Sequence, residues 1–262
     1  MAYATRDGVP LYYEQEGRGR PALVFVHGWC CDHTFFGPLV DHFRRSHAVL
    51  TLDLRGCGSS GQPEDGYDVP TLADDVAWLC GETGFERPVI VGHSLGGSIG
   101  LELAARHPDV PAAVVALDPG PLHTTALADA VHGGLATQLA GPSGEAVRRA
   151  WVSDDVPADR PDLATKIIDT MCSAPIGPAA AVVRGTVEWN GAAALAMCHV
   201  PLLVVLSQPR GSNAPDRLLA LKPDVHIGVT VGAGHFNQLE VPEQVIPMME
   251  RFLTTAVGDP AD

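Results

Sequence analysis

The chain has 262 residues, 46% of them apolar, enough for one large domain or two small ones with a core that needs no disulfide or metal staples. Its 31 acidic residues outnumber 17 basic ones, a formal net charge of −14 that argues against nucleic acid and anionic membrane surfaces as partners. No apolar run approaches the roughly 18 residues of a membrane span, and Met1 to Gly8 lack the basic start and apolar centre of a secretion signal, so a cytoplasmic protein is expected.

In chain order, residues 11–16 alternate weakly and precede Gly17 and Gly19, as the second arm of a hairpin would. Continuous apolar runs at 22–26, 48–52, 89–91 and 113–117 carry the mark of strands buried on both faces. Helical patterns stand between them, clearest at 71–84 and 95–106. After Pro119 the rhythm breaks, and helix-like segments such as 144–152 and 162–171 follow without a comparable strand. It resumes with strand runs at 201–206 and 225–231 and a closing helix at 242–255. Strands alternating with helices imply an α/β domain with a mostly parallel sheet covered on both sides. Residues 1–120 and 200–262 are expected to form its core, with 121–199 as a helical lid inserted after the sixth strand.

The 28 glycines and 22 prolines make the domain loop-rich. Six cysteines (Cys30, Cys31, Cys57, Cys80, Cys172, Cys198) include an adjacent pair but no CxxC, and read as small core residues rather than zinc ligands or disulfides. No metal cluster, GxGxxG or P-loop occurs, so neither metal nor cofactor is implied.

Gly92-His93-Ser94-Leu95-Gly96 places G-x-S-x-G between a buried strand and a helix, where a tight turn lifts the serine above the sheet edge. A hydroxyl needs a base, and His235, just past the last strand run in Gly234-His235-Phe236, projects to the same edge as Ser94. His93, His107, His123 and His226 read as solvent-facing or packing residues, and His27 as a brace for its loop. The acid is expected at Asp118, ending the strand run at 113–117. Asp216 stays open, because no carboxylate precedes it after 201–206. The backbone amides of Leu95 and Trp29 are the candidate oxyanion donors. Trp29, Trp151, Met171 and Trp189 are candidate substrate contacts, with packing as the competing role for each; Ile167, Ile168 and Ile176 share that ambiguity.

These stretches resemble the α/β-hydrolase superfamily: His27-Gly28-Trp29 its oxyanion loop, Asp53-Leu54-Arg55-Gly56-Cys57-Gly58-Ser59-Ser60 its D-x-R-G-x-G-x-S stretch, Gly92 to Gly97 its nucleophile elbow, and Gly234-His235 its histidine loop. Most members carry the acid after the following strand, where this chain has Ser207 to Arg210; some carry it one strand earlier, where Asp118 stands. Two such branches are similar. Zearalenone-type lactonases share the early acid and a start like Tyr12 to Gly17. Cofactor-independent quinaldine and quinolone dioxygenases share it together with Gly28-Trp29-Cys30, Asp32-His33 and Ser207-Gln208-Pro209, but differ at Cys31 and Leu95, where they carry histidine.

The resemblance implies a serine hydrolase cleaving an ester or lactone of a small, largely apolar substrate through Ser94, His235 and Asp118. Ring-opening dioxygenation and non-catalytic small-molecule binding on the same fold stand as alternatives. A small-molecule substrate is the expected partner, and a homodimer is left open.

Overall fold

The computed structural model describes residues 2–120, 122, 124, 133–207 and 213–257. An eight-stranded sheet runs in the order β1-β2-β4-β3-β5-β6-β7-β8. Its strands are β1 (Ala2–Arg6), β2 (Val9–Glu16), β3 (Leu23–Val26), β4 (Val49–Leu52), β5 (Val89–His93), β6 (Ala113–Leu117), β7 (Leu202–Leu206) and β8 (His226–Val229). The first two pair antiparallel and β2 meets β4 antiparallel, while β4, β3 and β5 to β8 pair parallel.

The apolar runs are strands because both of their faces are covered. Along β3, Val24 and Val26 join a core with Leu50, Ile90 and Leu101, whereas Leu23 and Phe25 point the other way, toward Val49, Val91 and Phe252. Helix α1 (Gly37–Phe43) and the closing helix Pro242–Phe252 cover the second face; Val245, Met249 and Phe252 supply the latter's buried stripe. Helices α2 (Val69–Glu82) and α3 (Leu95–Arg106) cover the first. Asp68 starts α2 by accepting from the Thr71 amide at 2.9 Å. The stretch after β4 is pinned to α2 by a buried pair, Arg55 donating to both Asp75 oxygens at 2.6 and 2.8 Å, with Arg6 of β1 donating to the same carboxylate at 2.7 Å.

Between β6 and β7 the chain adds helices α4 (Gly144–Asp155), α5 (Pro161–Ser173), α6 (Ile176–Glu188) and α7 (Gly191–Met197). Arg148 of α4 is buried, and its guanidinium donates to the carbonyls of Cys172 and Ala174, which fastens α4 to the end of α5. Helix α8 (Pro215–Leu221) follows β7, and a single turn, α9 (Asn237–Glu240), follows β8.

The sequence reading implied β1 only as the unbounded first arm of a hairpin, gave no bounds for α6 and α7 within the helical insertion, and drew β8 too long. Val231 is 79% exposed, and both its N–H and its carbonyl are taken by the Gln244 side chain, so the strand stops at Val229. All six cysteines are free thiols, with Cys30, Cys31, Cys80 and Cys198 buried. Among the described residues no helix is long and apolar enough to cross a membrane.

Candidate active site

The turn from β5 into α3 lifts Ser94 out of the sheet. Its φ of +53° and ψ of −118° lie outside the broad allowed regions for a side-chain-bearing residue. Two glycines make that turn feasible: a Cβ at Gly92 would be driven into the Gly96 carbonyl, and one at Gly96 into the Val26 carbonyl of the neighbouring strand. The G-x-S-x-G spacing is therefore a steric requirement of strand, turn and helix packed at contact distance.

Three side chains from separate strand ends meet above the sheet. Ser94 Oγ lies 2.9 Å from His235 Nε2, and His235 Nδ1 lies 2.7 Å from Asp118 Oδ2. With the proton on Nδ1, the imidazole donates to Asp118 and accepts from the serine hydroxyl. The other Asp118 oxygen accepts from the Ser207 amide at 2.9 Å, and the Asp118 amide donates to Val205 O at 2.7 Å. Asp216 sits in the first turn of α8 and is not part of this chain of bonds. Burial disfavours a charged imidazole at His235, but the bond to Asp118 and the negative charges of Asp118, Asp155 and Glu240 outweigh it and raise its pKa above the ordinary value.

The loop after β3 is braced by His27, whose Nδ1 donates to Gly28 O at 2.8 Å and whose Nε2 accepts from the Leu54 amide at 3.0 Å. Burial lowers the pKa of His27, which suits a neutral ring with one donor and one acceptor. Asp53 anchors the adjoining stretch by accepting from the His33 amide, the His33 ring and the Ser59 amide, each at 2.8 Å. Burial works to raise the Asp53 carboxyl, but these donors prevail and hold it below its usual range. Trp29 and Leu95 border the same hollow as Ser94, and their backbone amides take no hydrogen-bond acceptor among the described residues.

Two apolar hollows open on Ser94. One is walled by Trp29, Cys31, Trp151, Val152, Met171 and Phe236, with Asp155 as its carboxylate; the other by Leu95, Leu135, Val182, Val183 and Thr186. Trp29 and Trp151 belong to both, packed edge to face with ring centroids 5.1 Å apart. The Trp29 indole also donates to Ala179 O of α6 at 2.9 Å, tying the oxyanion-loop candidate to the insertion. A larger groove, against Arg20, Phe85 and Val257, contains none of these residues.

Of the four candidate substrate contacts, Trp29, Trp151 and Met171 line the hollows beside Ser94, and Trp189 does not. Its indole donates to Glu102 of α3 at 2.8 Å and its ring packs on Gly191, so it fastens the insertion to the scaffold. Ile167 is fully buried in the core, and Ile168 and Ile176 pack against it. His93 is buried, the packing alternative of its sequence reading, and its Nε2 donates to the His235 carbonyl at 2.9 Å. His107 bonds Asp74 at 2.7 Å, and His226 is exposed beside Phe252. His123, like 208–212, lies outside the described residues. Missed altogether was Asp155, because an acid at the end of an amphipathic helix carries no sequence sign of which way it faces.

The α/β hydrolase fold family matches residues 21–170. Two relatives each align over less than half of the chain. The 2-(acetamidomethylene)succinate hydrolase of Mesorhizobium japonicum is 34% identical over 47% of this chain, and the bifunctional esterase/perhydrolase DCH of Acinetobacter calcoaceticus 36% identical over 45%. Each alignment spans 44% of the relative's own length. The solved structure of an enol-lactonase from Burkholderia xenovorans superposes over 97% of this chain and all of its own, with a TM-score of 0.85 at 22% identity. Sheet order, elbow geometry and these likenesses agree, and the chain belongs to the α/β hydrolase fold family.

Proposed function

We propose that the chain is a serine hydrolase acting on a carboxylic ester or lactone of a small, largely apolar substrate. The observation that carries this reading is the unbroken run of hydrogen bonds from Ser94 Oγ through His235 to Asp118, at 2.9 and 2.7 Å, directly beside apolar walls. Ser94 attacks the carbonyl carbon while its proton passes to His235 Nε2. The Trp29 and Leu95 amides receive the oxyanion, and Asp118 holds the imidazole tautomer and supports its charge. His235 then protonates the leaving oxygen, and water releases the acyl group by the reverse steps.

The insertion acts as a lid: Trp151 and Met171 reach from it into the hollow, and Asp155 brings its carboxylate to the same wall. Esterase and lactonase activities among the named relatives support the reaction class.

The test is a panel of aryl esters and lactones assayed with wild type and Ser94→Ala. Wild type is expected to turn over at least one of them and to be labelled by a fluorophosphonate. The variant should lose roughly 10⁴- to 10⁶-fold in kcat and all labelling. Full activity of Ser94→Ala on every compound the wild type cleaves removes the acyl-enzyme reading. The same panel includes a hydroxyquinolone under oxygen monitoring, for which no oxygen uptake is expected.

A further inference from the structure

The proposed base stands on a loop beyond the edge strand, and a shift of about 1 Å in a reacting group can cost on the order of a hundredfold in rate. The bonds that hold the loop converge on one side chain. Glu240 is 9% exposed, and its carboxylate folds back over the start of α9. One oxygen accepts from the Gly234 amide at 2.8 Å and the other from the Phe236 amide at 2.9 Å, the two amides either side of His235. The His235 carbonyl is held in turn by His93 Nε2 at 2.9 Å. Arg160 of the insertion donates to the carbonyls of Leu239 and Glu240 at 3.3 and 2.5 Å, which secures the turn that carries the carboxylate.

We propose that Glu240 is a positioning residue for the base: its carboxylate bridges the amides flanking His235 and so sets the reach of the imidazole to Ser94. The inference rests on the serine-hydrolase reading above. Back-bonding from the first turn of a helix accounts for the Phe236 amide alone. Gly234 lies upstream of the helix start, so its bond belongs to the histidine loop itself. Both partners are donors, which calls for two acceptors. Glutamine of the same shape offers one acceptor and turns an NH₂ toward the other amide. Aspartate keeps the charge but is one methylene too short to span both amides.

The groups facing His235 are Asp118 from the loop after β6, Asp155 from the end of α4, Glu240 from α9 and His93 from β5. The three carboxylates favour the imidazolium, so removing the Glu240 charge lowers the proton affinity of His235.

The experiment compares wild type, Glu240→Gln and Glu240→Asp in the full chain, with rates expressed per site titrated by fluorophosphonate and the His235 imidazole followed by NMR against pH. Both variants are expected to lose at least about tenfold in kcat per titrated site, with KM within about twofold. In Glu240→Gln the acid limb of kcat/KM and the NMR midpoint of His235 both move to lower pH; in Glu240→Asp they stay. Wild-type kcat per site with an unmoved midpoint overturns the proposal. So does a loss confined to the number of titratable sites, or to KM, since either marks a role in folding or binding only. If Ser94→Ala keeps activity, the parent reading fails separately, and the His235 midpoint still reports whether Glu240 acts on that ring.

Discussion

Asp118→Asn isolates what the carboxylate bonded to His235 contributes. The substitution keeps side-chain shape, and asparagine tolerates the left-handed backbone, with φ of +41°, that Asp118 occupies, so strain is not the source of any effect. The carboxylate accepts from both the Ser207 amide and His235 Nδ1. An asparagine oxygen that keeps the Ser207 bond leaves its NH₂ facing Nδ1. The ring then has to carry its proton on Nε2, pointing at Ser94, where it cannot act as a base. A wrong tautomer in such a triad costs on the order of 10⁴-fold in kcat, about 5 kcal/mol of transition-state stabilisation.

The pH profile adds a second reading with a defined sign. Burial is the largest influence on His235 and lowers its pKa; Asp118 is the main influence raising it. In wild type the acid limb of kcat/KM should therefore lie above the ordinary histidine value of 6.5. In Asp118→Asn the residual activity should show a limb displaced below it. Stability moves in the complementary direction. A raised imidazole pKa stabilises the fold fully below the unfolded value and fades as pH rises through the folded one, so the variant loses more stability at low pH than at high pH. The assay is steady-state hydrolysis of the best aryl ester across pH, with denaturation midpoints alongside. Activity within tenfold of wild type and an unmoved limb would refute the reasoning, and a collapse in Asp216→Asn instead would reassign the acid.

Two further outcomes follow from packing. Gly96→Ala must push the backbone of β3 away, so it should cost at or above the upper end of about 1–3 kcal/mol and abolish labelling of Ser94; Gly81→Ala, in α2 with open space around it, should cost nothing or stabilise slightly, read from urea midpoints. Trp29→Phe keeps the ring contact with Trp151 but removes the bond to Ala179, and should cost about 0.5–1.5 kcal/mol of stability and lower kcat more than it raises KM. A change in KM alone would assign the Trp29 side chain to substrate contact only.

What was legible in the sequence was whatever sterics or burial dictates locally. The run Ala113 to Leu117 is apolar throughout because both faces of β6 are covered, and α3 begins at Leu95 because the elbow ends there. What was not legible depends on which way an element is turned. In α6, Ile176–Glu188 is rich in alanine and valine and no side chain caps its start, so it offers little boundary signal, yet it carries the carbonyl that holds Trp29. Trp189 and Trp151 are equivalent as letters. One found a carboxylate on α3 and became a fastener; the other found Trp29 and faces Ser94. Glu240 lies five residues past His235, but an acid in a helix's first turn is ordinary, and only the direction of its carboxylate distinguishes it.

The placement of the acid shows how neighbouring strands can exchange a role. Leu117 of β6 is in register with Val205 of β7, and paired strands lie about 4.8 Å apart, within the span of one short side chain. The left-handed backbone at Asp118 turns its carboxylate sideways over the end of β7, where the Ser207 amide receives it. The carboxylate thus hangs from β6 but is moored to the first residue past β7, the position from which an acid on the later strand would project. His235 meets a carboxylate in the same region of the sheet edge by either route, so the stretch beginning at Ser207 needs no carboxylate of its own. It needs a free backbone N–H, which any residue but proline supplies. Ser207→Pro should therefore mimic much of the kinetic loss of Asp118→Asn, whereas Ser207→Ala, which keeps the amide, should leave kcat near wild type.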